Sequence, residues 1–312
     1  MKPQPNDLIS LLDFSSEQIT EMLSVATQVK AQRLTQEPQL LARRTGVLIF
    51  EKPSLRTRLT FETAIHELGG HAVNLESSSV QMGKRESVDD VARNLERWVH
   101  LVIARTYLHE TVIELARHSS IPVINALTDR FHPCQALAFG QSLQEARGQK
   151  PGQHVVFVGD GNNVCNSLMV LCAKLGHHFT LVCPSGYEAP RELAQTCDDI
   201  ARKRNATVQI THDVRAAVAN ASVIYTDVWA SMGQEAEQQK RARDFAGFQV
   251  NDELISLAPD DVLVSHCLPA HRGEEITSSV LDSPRSIAFE EAENRLHVQK
   301  AVIIKLLTQD VQ

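Results

Sequence analysis

Directly after the apolar run at 46–50 the chain reads EKPSLRTR (51–58), which places Ser54, Leu55, Arg56 and Thr57 at a strand-to-helix turn. Free backbone N–H groups and the helix dipole attract anions at such a start. A guanidinium adds a two-pronged fork for a phosphate or carboxylate. Arg56 and Arg58 are two residues apart and point in different directions on a helix, so Arg56 is the candidate ligand and Arg58 a structural residue. A capped helix with solvated arginines explains either hydroxyl by itself but not the whole cluster. Arg105 ends a second apolar run, HLVIART. HPCQ supplies His132 and Gln135, an imidazole and an amide that bond a carbonyl oxygen without obligatory charge. Cys134 between them has no evident base and reads as packing.

Three later segments carry the same kind of load. In GDGNN, Gly159, Gly161 and Val164 occupy the places of a dinucleotide glycine loop, which is therefore incomplete, and no such cofactor is expected. Asn162 and Asn163 offer paired amides suited to a carboxylate or an ammonium; ordinary turn chemistry also uses them. Asp227 in DVWASMG ends a strand and suits a cationic group. Ser231, Met232 and Gly233 then open a polar stretch, GQEAEQQKRARDF, expected to form a lid-like loop. HCLPAHRG brings His266, Cys267, Leu268 and His271. His266, Cys267 and His271 are conceivable metal ligands, but a His-Cys pair on an extended strand faces opposite ways, so only some of them could share one metal, and no metal site is expected.

The elements that must position these groups alternate. Apolar runs at 45–50, 71–76, 100–106 and 121–127 read as strands, and amphipathic stretches at 58–70, 86–98 and 109–119 as helices. Ser15 with Gln18 forms a capping-box signature for a first helix over 15–32. A second series of strands follows at 154–160, 178–184, 207–213, 221–229 and 261–269. Strands alternating with helices predict an α/β fold of doubly wound parallel sheets flanked by helices. The series breaks at the Gly/Pro/Gln-rich stretch 148–153. The long helix over 292–307 has no strand after it and is expected to dock on the first half. All the loaded segments follow strands, where parallel sheets bind ligands.

The 312 residues accommodate two domains. A net charge of −7 with 22% charged residues excludes a generally basic, nucleic-acid-binding surface, so an anion site has to be a local concentration of positive groups. The N-terminus lacks a signal-peptide pattern, and the six cysteines form no CxxC pair. A cytoplasmic chain with reduced thiols is the expectation.

Taken in order, SxRTR, the strand-end arginine, HPCQ, GDGNN, DxWxSMG and HCLPAHRG resemble the ornithine carbamoyltransferases over nearly the whole chain. DVWASMG and HCLPAHRG point to the ornithine branch; HPCQ and SxRT are shared more widely in the family. The resemblance implies a carbamoyl-phosphate-binding domain at 1–142, completed by a C-terminal helix at 291–312, and an ornithine-binding domain at 143–290. It implies a homotrimer with sites at subunit interfaces, and neither cofactor nor metal. By that similarity Ser54, Leu55, Arg56, Thr57, Arg105, His132, Gln135 and Arg295 hold carbamoyl phosphate, with Gln81 from a neighbouring subunit. Asn163, Asp227, Ser231 and Met232 hold ornithine, while Cys267 and Leu268 belong to the carbamoyl phosphate set as well and border the reacting amine. Arg105, His132 and Cys267 are the implied catalytic groups. The one departure is Leu55, where the family more often carries threonine. Relatives acting on putrescine or an acylated ornithine, and a non-catalytic binder of carbamoyl phosphate, are the rival expectations.

Overall fold

The structure, a computed structural model, describes residues 7–36, 38–76, 82–83, 85–230 and 235–308. The chain forms two compact units, Met1–Gln141 with Glu293–Gln312, and Ser142–Ala292. Both unit boundaries fall inside helices rather than in the 148–153 stretch.

In the first unit the order is α1 (Ser16–Ala31), β1 (Thr45–Phe50), α2 (Leu55–Glu67), β2 (His71–Glu76), α3 (Val88–Trp98), β3 (Leu101–Arg105), α4 (His109–His118), β4 (Val123–Leu127) and the start of α5 (Pro133–Arg147). The strands form a parallel sheet in the order β2-β1-β3-β4. The interior residues of β1 and all of β3 are buried, as expected for strands covered by helices on both faces. Ser15 caps α1 in a reciprocal capping box with Gln18. Phe61, Ala64, Ile65 and Leu68, at helical spacing on the α2 segment, are all buried. Gly46 lets that helix approach β1: a Cβ there would lie 2.8 Å from Ile65 Cδ1.

The helix over α2 starts three residues earlier than the periodicity at 58–70 suggests. Ser54 is its N-cap, its Oγ accepting from the Thr57 N–H at 3.3 Å. A cap outranks the apolar pattern in setting a helix start because it satisfies an otherwise orphaned N–H.

The second unit continues with β5 (His154–Val158), α6 (Asn163–Leu175), β6 (His178–Val182), α7 (Arg191–Arg202), β7 (Val208–Thr211), α8 (Val214–Val218), β8 (Val223–Thr226), α9 (Gln238–Asp244), α10 (Asp252–Ile255), β9 (Leu263–His266) and α11 (Ser278–Leu281). Its parallel sheet runs β7-β6-β5-β8-β9. The stretch expected as a polar loop after Met232 is, in its described part, a short 3₁₀ turn at Glu235–Glu237 followed by α9. The reason is Arg241. Its guanidinium is buried and bonds Asp160 at 2.7 Å, the Trp229 carbonyl at 2.9 Å and Glu237 at 3.0 Å.

The last helix, α12 (Ala288–Thr308), starts four residues before the expected 292. It packs on the first unit through Lys300, which pairs with Glu67, and Lys305, which reaches Glu21 at 2.6 Å. No described helix is long and apolar enough to cross a membrane. Five cysteines are buried and Cys267 is half-buried; all six are free.

Candidate functional site

In each sheet the strand order reverses at one place. In the first, β1 leads to β2 on one side and the chain returns to place β3 on the other. In the second, β5 leads to β6 and β7, and the chain returns to place β8 and β9 beyond β5. The carboxyl ends of the strands that flank such a reversal leave a crevice where ligands bind. Phe50 aligns with Arg105 at the first crevice, and Val158 with Thr226 at the second. The loaded segments stand there: EKPSLRTR after β1 and Arg105 ending β3, then GDGNN after β5 and Asp227 after β8.

At the first crevice, Thr57, Arg105, His132, Gln135 and Arg295 are all buried, Arg56 is half-buried, and Leu55 is 72% exposed. Arg295 projects from α12 and is 1% exposed. Its Nη1 donates to Gln135 Oε1 at 2.6 Å and its Nη2 to Thr57 Oγ1 at 3.1 Å. One guanidinium therefore ties together the starts of α2 and α5, which lie 78 residues apart in sequence by their positions at 57 and 135. HPCQ opens α5 with Pro133 at the first helical position, where its missing N–H costs nothing. The His132 carbonyl accepts from the Gln135 and Ala136 N–H groups at 3.1 and 3.3 Å. Arg58 instead pairs with Glu62 at 2.9 Å along the exposed side of α2.

Burial, and after it the positive charges of Arg295, Arg105 and Arg56, hold the His132 imidazole well below its ordinary pKa. The ring is neutral at pH 7, a hydrogen-bonding group among cations. Burial pushes the Cys134 thiol up to about 12, which suits packing and not nucleophilic attack. The sign for stability follows from His132 alone. An unfolded imidazole takes its proton at the ordinary value and the folded one only at lower pH. The contribution is therefore full above the ordinary value and is lost as pH falls toward the folded value. We expect the His132 ring resonances to stay unprotonated from pH 8 to 6 in NMR titration. A His132-dependent step in carbamoyl phosphate binding within that range, absent from His132→Gln, would contradict it.

At the second crevice the Asp227 carboxylate, 6% exposed, collects three donors. Asn162 Nδ2 donates to Oδ2 at 2.8 Å, and the Cys267 thiol and the Val228 N–H each donate to Oδ1 at 2.8 Å. Asn163, the first residue of α6, is half-buried beside them in sequence. The expectation that His266 and Cys267 face apart does not hold. Their ligand atoms and those of Asp227 lie within 4.8 Å of one another. The chain leaves the extended conformation right after β9, with Leu268 at φ 54. The imidazole is nonetheless spent: His266 Nδ1 accepts from the Leu268 N–H at 2.8 Å, so Nε2 carries the proton it shares with Glu275 at 3.0 Å. No ring lone pair is left for a cation.

Gln81, Ser231 and Met232 lie outside the described residues. Glu275 and the Asp160–Arg241 pair are not among the candidates the sequence offers. Asn162 stood in view as half of the amide pair, whereas Glu275 and Arg241 act over distances along the chain that no local pattern signals.

Residues 6–145 match the family model for the carbamoyl-P binding domain of aspartate/ornithine carbamoyltransferase, and residues 151–306 match its Asp/Orn binding domain. The chain belongs to the aspartate/ornithine carbamoyltransferase family. Within this family, an ornithine carbamoyltransferase of Methanosarcina mazei is 48% identical over 302 residues, covering 96% of this chain and 99% of that protein. The structure of ornithine carbamoyltransferase from Pyrococcus furiosus matches with a TM-score of 0.92 at 46% identity, over 95% of each chain. An N-acetyl-L-ornithine transcarbamylase mutant, solved with carbamyl phosphate and N-succinyl-L-norvaline, matches at 0.87 with 30% identity, over 96% of this chain and 99% of its own.

Proposed function

We propose that the chain transfers the carbamoyl group of carbamoyl phosphate to the δ-amine of L-ornithine, giving L-citrulline and phosphate, in arginine metabolism. The observation that carries this is the chemistry at the two crevices: buried cationic and neutral donors at one, a carboxylate oriented by three donors at the other. Near-full-length relatives named for the ornithine reaction support the choice of acceptor.

Carbamoyl phosphate is an activated acyl donor, so neither a metal nor a covalent nucleophile is required. The neutral δ-amine attacks the carbonyl carbon. A C–N bond forms, the C–O bond to phosphate breaks, and the proton shed by the amine passes to the departing phosphate. Arg105, His132 and the Thr57 hydroxyl are the donors for the tetrahedral oxyanion. A neutral His132 serves here because it donates a hydrogen bond without adding a further buried charge. Arg56 and the N–H groups at the start of α2 take the phosphate as it leaves, and Arg295 and Gln135 complete that cradle. Asp227 and Asn163 hold the α-ammonium and carboxylate of ornithine together with Ser231 and Met232, and Cys267 and Leu268 border the δ-amine. Gln81 reaches a neighbouring subunit's site in a homotrimer, and the free thiols fit a cytoplasmic protein.

Formation of the ureido product, citrulline from ornithine and its counterparts from putrescine and N-acetylornithine, tests the assignment. Turnover of ornithine at least about 100-fold above the other two is expected, since each lacks a charge the site is built to hold. Faster turnover of either alternative would replace the assignment.

Leu55 opens α2 and points to solvent. Its backbone N–H is available at the helix start whatever the side chain, so Leu55→Thr adds at most one hydroxyl bond to phosphate, worth about 1 kcal/mol or somewhat more. Steady-state kinetics of Leu55→Thr should show a modest change in the KM for carbamoyl phosphate. A change in kcat/KM beyond roughly 100-fold, about 2.7 kcal/mol, would refute this.

A further inference from the structure

We propose that Asn162 is the positioning residue of the Asp227 carboxylate, tying its orientation to the start of helix α6; this rests on the assignment of Asp227 to ornithine binding. Asn162 has one amide oxygen and one NH2 group. The oxygen is claimed by the helix: Oδ1 accepts from the Val164 and Cys165 N–H groups, both at 3.0 Å. Two peptide donors there leave the amide only one orientation, with Nδ2 turned toward Asp227 Oδ2 at 2.8 Å. The cap that starts α6 is thus the same group that aims the carboxylate.

The other two donors to Asp227 act on Oδ1 only. Val228 is its chain neighbour, and Cys267 stands on the turn after β9. Asn162 alone among the three binds Oδ2, and it does so from a helix whose residues Val164 to Ala173 are all buried. Its loop is held in turn. The Gly161 N–H donates to the Tyr187 carbonyl at 2.8 Å, and a Cβ at Gly161 would come within 2.4 Å of the Ala189 nitrogen. No larger side chain fits that approach. A carboxylate with both oxygens bonded from rigid elements presents its remaining lone pairs in a defined direction, which is what recognition of an ammonium group requires.

Serine caps a helix about as well as asparagine but has no NH2 to reach Asp227. In Asn162→Ser, kcat/KM for ornithine should fall by about 10- to 100-fold, mostly through KM, the range for losing a hydrogen bond to a charged group. The KM for carbamoyl phosphate and the thermal midpoint should barely move. In Asn162→Asp the cap is kept and a like charge faces Asp227, so a larger loss is expected at similar stability. Coupling is read by repeating Asn162→Ser in an Asp227→Asn background, where a residue acting through Asp227 has little left to lose. Unchanged ornithine kinetics in both single Asn162 variants would overturn the proposal. So would an undiminished loss in the double variant. If Asp227→Asn alone leaves ornithine kinetics intact, it is the assignment of Asp227 that fails instead.

Discussion

Arg105→Met is expected to lower kcat/KM for carbamoyl phosphate by about 100- to 1,000-fold, the range for removing one donor to a developing oxyanion. The size comes from burial. Arg105 is 4% exposed at the carboxyl end of β3, in register with Phe50 at the strand reversal. Water does not replace a lost donor there as it would at the surface. Arg105 is also one of the three cations that depress the His132 pKa, so its removal lets that pKa rise. The variant should lose activity on both counts and show an imidazole that titrates closer to its ordinary range. Calorimetry with carbamoyl phosphate separates binding from turnover. A fall of less than tenfold in kcat/KM would remove Arg105 from the oxyanion donors.

The largest stability effect is expected at Lys300→Met. Lys300 is fully buried on α12 and pairs with Glu67, which also accepts from Arg33 at 3.0 and 3.3 Å. Burial pushes the Glu67 carboxyl up, but the bonds from Lys300 and Arg33 outweigh it and hold the group below its ordinary value. Removing Lys300 takes one of two cations from a nearly buried carboxylate and leaves it to Arg33, a loss of up to about 3–5 kcal/mol by analogy with broken buried pairs. For a depressed carboxyl the pH sign is definite: the contribution is present above the unfolded value and disappears as pH falls through the folded one. Denaturant unfolding at pH 7.5 and pH 4 should therefore show a smaller difference from the unaltered protein in acid. Adding Glu67→Gln should recover much of the loss, since no buried charge is then left alone. A destabilisation under about 1 kcal/mol at pH 7.5 would show that the pair contributes little.

The sequence, without any coordinates, determined the kind of fold and the kinds of chemistry. Apolar runs and amphipathic stretches alternate because a covered parallel sheet needs that pattern, and nine runs stand out that way. The six motifs carry their own chemistry in residue types and short spacings, so they are legible wherever they lie. Local signals also named the cap at Ser15, because a cap acts within three residues.

Tertiary structure alone decided which of those groups meet. The order of strands within each sheet is set by packing of distant segments, and that order puts the EKPSLRTR turn beside Arg105 and GDGNN beside Asp227. Arg295 reaches Thr57 across 238 residues of sequence and Gln135 across 160. The same holds for Asn162 and Asp227, 65 residues apart, where the motif offers Asn162 and Asn163 as an amide pair and the family resemblance picks out Asn163. Arg241 turned an expected loop into a helix by burying its guanidinium against Asp160, 81 positions away. Short-range spacing specifies caps, periods and residue chemistry because those interactions close within a turn or two. Hydrogen bonds to buried charges are specified by proximity in the folded chain, and in this protein Arg295 and Arg105, which the proposed anion site at EKPSLRTR needs, arrive there from distant parts of the chain.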